Sequence, residues 1–115
     1  MLDEITQFIL DFDNPSTKEW TRFVIAKHIE YGTYVLLRDK EEKIVAFVGL
    51  NIHEKIAEVL RTVVRTDFRH KRILKLLVYM SKVKFPFLES FYFERDTKYP
   101  NRKAHVYSIE KFLRR

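Results

Sequence analysis

The chain opens with apolar residues at helical spacing. Leu2, Ile5, Phe8, Ile9 and Phe12 share one face of a 3.6-residue period, which predicts an amphipathic helix over residues 2–12. Asp13-Asn14-Pro15 should end it, because the residue before a proline is pushed away from helical backbone. Ser16-Thr17-Lys18-Glu19 then has the form of a capping box, with Ser16 and Glu19 satisfying each other's backbone donors. Trp20, Phe23 and Val24 continue one face of a second helix, and the pattern assigns Trp20 and Phe23 to the core. Gly32 is placed to close that helix in the left-handed conformation.

The period then drops to two. Residues 33–38 read as a strand, the polar run Asp39-Lys40-Glu41-Glu42 as a solvated hairpin tip, and residues 43–52 as a nearly continuous apolar strand covered on both faces. After His53-Glu54-Lys55, residues 56–64 predict a third strand that runs into a short basic loop. That loop opens onto a Leu-rich helix over 72–83, which Phe85-Pro86 ends. Residues 87–94 read as a fourth, aromatic-rich strand. Within 101–115, Val106 to Ile109 favour a strand, while Ala104, Tyr107 and the Glu110-Lys111-Phe112-Leu113 ending permit a helix capped by Asn101; the strand is the better supported. A meander followed by strand–helix–strand predicts an α+β fold: a mixed, mostly antiparallel sheet with helices packed on both faces and a parallel third and fourth strand.

Composition narrows the class. A length of 115 residues suits one domain, and ten Phe with six Tyr give an aromatic-rich core. The lack of Cys excludes disulfides, a thiol nucleophile and thiolate metal sites. His28, His53, His70 and His105 show no ligand spacing, so no metal site is expected. The start, Met1-Leu2-Asp3-Glu4, lacks a secretory signal and no apolar run suits a bilayer, which makes a cytoplasmic protein without a membrane partner the simplest expectation. The net charge of +6 favours anionic partners, and its excess lies in residues 61–84 and 98–115. The segment from Thr62 to Val78 concentrates the chemistry. A strand, a turn carrying Arg69, Lys71 and Arg72, and a helix N-terminus together form a ready anion site.

This order of elements resembles the GNAT superfamily of acetyl-CoA-dependent N-acetyltransferases over roughly residues 33–95. Val64 matches the strand valine of the family's loop signature, Thr66 stands for its proline, Phe68 for its aromatic residue and Arg69 for its arginine. Ile73, Leu77 and Val78 supply the helix-side apolar positions. The resemblance implies acetyl transfer from acetyl-CoA to a primary amine, the acceptor being a protein lysine, a polyamine or a small amine. It implies a pyrophosphate-binding loop that involves Val63, Val64, Arg65, Arg69, His70, Lys71, Arg72, Ile73 and Leu74. It implies Glu58 as the base and Tyr99 or Tyr107 as the acid. The chain also departs from the pattern. His70 and Arg72 occupy the two glycine positions, Leu74 stands where a small residue is usual, and only eleven residues follow the Asn101-Arg102-Lys103-Ala104 match to the family's late helix. The alternative is a catalytically silent GNAT-like module whose basic face binds nucleic acid or an acidic protein. The compact, glycine-poor form would suit a phage or mobile-element protein. The chain would be a monomer, or a homodimer joined through a late edge strand.

Overall fold

Helix α1, Leu2–Phe12, buries Ile5, Phe8 and Ile9, the stripe its sequence presents. Here, as throughout, the structure is a computed structural model, and it describes residues 1–13, 17–69, 72–93 and 105–114. Helix α2 spans Lys18–Tyr31. Its cap is Thr17, whose hydroxyl accepts a hydrogen bond from the Trp20 N–H at 3.1 Å. The cap therefore sits one residue later than the Ser16–Glu19 box implied, and Ser16 lies outside the described residues. Gly32 does close α2 with φ +67°, its N–H turned back to the His28 and Ile29 carbonyls.

The inner face of α2 corrects the sequence reading. Thr21, Ile25 and His28, spaced i, i+4 and i+7, are the buried residues. Trp20 and Phe23 lie outside that stripe, each more than half exposed, and stack on one another at 5.6 Å.

Five strands follow: β1 (Tyr34–Arg38), β2 (Ile44–His53), β3 (Ile56–Val64), β4 (Ser90–Phe93) and β5 (His105–Ser108). They lie in the order β1-β2-β3-β4-β5, and every neighbouring pair is antiparallel except β3 with β4. The parallel pair needs a crossover, supplied by helix α3, Ile73–Lys84. Strand β2 is buried from Ile44 to Leu50 because both of its faces are covered. Phe47 joins the cluster under α1 and α2, with Ile5, Ile9, Ile25 and Val63. Val48 and Leu50 join the cluster under α3, with Leu77, Val78 and Phe91.

Gly49 is fixed by its neighbour. A Cβ there would lie 2.7 Å from His28 Nε2, closer than atoms approach. The buried imidazole holds its place through Nδ1 and the Thr33 hydroxyl at 2.9 Å.

The end of the chain uses both predicted conformations. β5 pairs with β4, and then α4, Ile109–Leu113, begins at Ser108, whose hydroxyl accepts from the Lys111 N–H at 3.4 Å. Strand β4 is shorter than expected, since Phe85 to Glu89 form the exit from α3 and Phe87 is exposed. Glu94 and the Asn101-to-Ala104 match lie outside the described residues.

Candidate functional site

Strand β3 carries a defect in its pairing with β2. Gly49 faces Arg61 and Leu50 faces Val59, so Leu60 has no partner on β2 and forms a β-bulge. A bulge bends its strand and increases the local twist. On its other edge β3 pairs with β4 from Ile56 to Val59, up to Phe93, the last described residue of β4.

Beyond Val64 the sheet gives way to a braced loop. Arg65 N–H still bonds the Val45 carbonyl at 2.8 Å, and a single turn of 3-10 helix follows at Thr66–Phe68. The Arg65 guanidinium bonds Asp67 at 2.7 and 3.1 Å and Asp39 at 3.2 Å, and lies 5.0 Å from the Phe68 ring centroid. Asp39 is thus no free hairpin charge. Its carboxylate also accepts the Lys43 and Glu41 N–H groups at 3.0 and 2.9 Å, and these bonds, with Arg65, hold its pKa below the usual aspartate value. Arg69 turns inward as well, its Nε donating to the Val64 carbonyl at 3.0 Å and its Nη2 to the Phe12 carbonyl at 3.1 Å. Arg72 is exposed and begins α3 with φ +41° and ψ +32°, a left-handed conformation that glycine adopts freely. The first N–H groups of α3 have no partner within the helix and face this loop.

Further back on β3 lies a polar cluster. Glu58 is flanked by Asn51 on β2 and Tyr92 on β4, so all three share the face that carries Phe47. Asn51 Nδ2 is 2.9 Å from His53 Nε2, which is 3.8 Å from Glu58 Oε2. Glu58 is half-buried on that face.

No protein-family model matches the chain, and no curated protein sequence matches it. Its likeness to solved structures is in shape. A chimera of the spermidine N-acetyltransferase SpeG from Vibrio cholerae and hSSAT superposes with a TM-score of 0.63 at 12% identity, over 97% of this chain and 93% of that one. The N-acetyltransferase YhbS from Escherichia coli, of the GNAT family and solved with CoA, gives a TM-score of 0.65 at 11% identity, over 97% and 78%. A GNAT-family protein from Desulfovibrio desulfuricans gives 0.58 at 13%, over 85% and 70%. This chain has the GNAT fold.

On the GNAT fold, the expected loop residues fall at the C-terminal end of β3 and the start of α3, but their side chains diverge. Val63 packs under α1 and α2, while Val64 and Ile73 pack under α3. Arg65 and Arg69 brace the loop, and Arg72 faces outward. Leu74 lines a cavity of about 10 Å³ with Val59, Thr62 and Phe91, so the space beneath α3 is filled. His70, Lys71 and Tyr99 lie outside the described residues. Tyr107 pairs with Phe91, on the α3 face, so the sheet separates it from Glu58. Sequence reasoning missed Tyr92, although strand alternation from the buried Phe91 would have placed it on the Glu58 face. It also missed Asp39, whose role depends on the distant Arg65.

Proposed function

We propose that this protein transfers an acetyl group from acetyl-CoA to a primary amine. The observation that carries the reading is the unit in which β3, bulged at Leu60, runs into a braced loop that delivers the N-terminus of α3. The α3 N-terminus with Arg72 fits a diphosphate. The glycine-like backbone at Arg72 supports this fit despite the missing glycine. The likeness to YhbS, solved with CoA, supports it too. When bound, acetyl-CoA supplies an acyl group already activated as a thioester.

The chain's own residues handle the protons. Glu58 takes one from the incoming ammonium, so that the nitrogen lone pair is free. His53, 3.8 Å from that carboxylate, helps to orient it. Tyr92 shares the face and is the better placed donor to the departing sulfur, since Tyr107 lies across the sheet. Of the two protons the ammonium gives up, one ends on sulfur and the other leaves through Glu58 to solvent.

The binding-module reading draws on a wider set of basic residues, and two of its arginines are already engaged within the loop: Arg65 with Asp39 and Asp67, and Arg69 with two carbonyls. Calorimetric titration tests the choice. Acetyl-CoA should bind with a Kd of about 1–100 μM and Arg72→Glu should weaken it roughly tenfold. No binding at about 1 mM cofactor would overturn the acyl-transfer reading.

A further inference from the structure

A groove of about 330 Å³ runs between α2 and the bulge of β3, a volume in the range of small-molecule sites. Phe23, Val24 and Tyr31 form its helix wall, and Leu60 and Asn51 its strand wall. The bulge turns Leu60, half exposed, into this groove. Asn51 connects the groove to the proton-handling cluster, since it is the cross-strand neighbour of Glu58 and touches His53.

The charge of the lining is as informative as its shape. Among the described residues that line the groove, none is acidic. Lys27 lines it and lies 5.7 Å from the Phe23 ring centroid, with its ammonium paired to Glu30 at 3.4 Å. Glu58, the cross-strand neighbour of the groove-lining Asn51, supplies a carboxylate for one ammonium. A polyamine's second cation would meet apolar walls and Lys27, whose ammonium already occupies the Glu30 carboxylate, and such desolvation is unfavourable.

We propose that the acceptor is a monoamine with an aromatic or apolar body, seated between Phe23, Tyr31 and Leu60 with its ammonium toward Glu58. This inference rests on the acyl-transfer reading for its chemistry, but the groove can be tested without it. Trp20, the one tryptophan, stacks on Phe23 and reports on the groove wall. Titration of the intact protein with phenylethylamine should give a saturable change in Trp20 emission, and spermidine should give none. Leu60→Asp, at an exposed position, should abolish the change while leaving the circular dichroism spectrum intact. In turnover with acetyl-CoA, phenylethylamine should exceed spermidine in kcat/KM by about tenfold or more. A preference for spermidine, or no saturation by phenylethylamine up to about 10 mM, would overturn the assignment. Saturable phenylethylamine binding in a protein that fails to bind acetyl-CoA would instead remove the acyl-transfer reading, and the acceptor assignment with it, leaving an amine-binding groove.

Discussion

At the scale of single residues, one close contact sets what β2 and α2 tolerate. The His28 imidazole lies over Gly49, and any Cβ must push it away. The ring is buried against Phe47 and bonded to Thr33, so it cannot retreat without losing both contacts. Gly49→Ala should destabilise the protein by about 1–3 kcal/mol, read as a lower urea midpoint with an unchanged slope. The same ring gives stability a pH dependence. Burial is the leading cause that lowers the His28 pKa below its ordinary 6.5, and the nearby Arg61 charge adds to it. A depressed folded value means the unfolded chain takes up the proton first. Stability is therefore complete above about pH 6.5 and falls as the pH drops from there toward the folded pKa. Urea midpoints measured at closely spaced pH values should show this fall in the native protein, and His28→Gln, which cannot titrate, should flatten it.

At the scale of elements, β3 is the decisive piece. The bulge inserts Leu60 without changing which faces its neighbours occupy: Ala57 and Val59 before it, and Val64 after it, all serve the α3 cluster. Removing Leu60 should keep those assignments and restore regular pairing with β2. The variant should fold, with native circular dichroism, yet bind acetyl-CoA at least about tenfold more weakly, because straightening β3 re-aims the loop and the α3 N-terminus that it feeds. Retained affinity would show that the bulge does not position the binding loop. Much of this level was readable in the sequence. The limits of α1 and β3, those of α3 to within one residue, the Gly32 cap and the parallel crossover follow from periodicity and local turn chemistry. The bulge was not, because it is a relation between two strands and no property of one. Nor was the outward aspect of Trp20 and Phe23: their size suggested core, while the small stripe of Thr21, Ile25 and His28 won the buried face. The loop arginines were legible as charge, but their partners Asp39 and the Phe12 carbonyl lie far off in sequence.

At the scale of the whole molecule, the proposed site is two half-sites joined by one strand. The loop and Arg72 stand beyond the C-terminal end of β3, where the helix crossover begins. Glu58 stands before the bulge, on the face shared with Asn51, Tyr92 and the groove. Because the strand is rigid and paired on both sides at Glu58, a change at one half-site should not distort the other. Glu58→Gln keeps the shape of the side chain and removes the base. It should lower kcat by about 10²–10⁴ with acetyl-CoA affinity unchanged by calorimetry, and the loss should shrink as rising pH deprotonates the free amine. Arg72→Glu should do the converse, raising KM for acetyl-CoA roughly tenfold while saturating cofactor restores most of kcat. The double variant should then show the two effects multiplied, because independent sites add in free energy. A Glu58→Gln protein with native turnover would remove Glu58 as the base, and loss of both parameters in each single variant would mean that the half-sites are mechanically one.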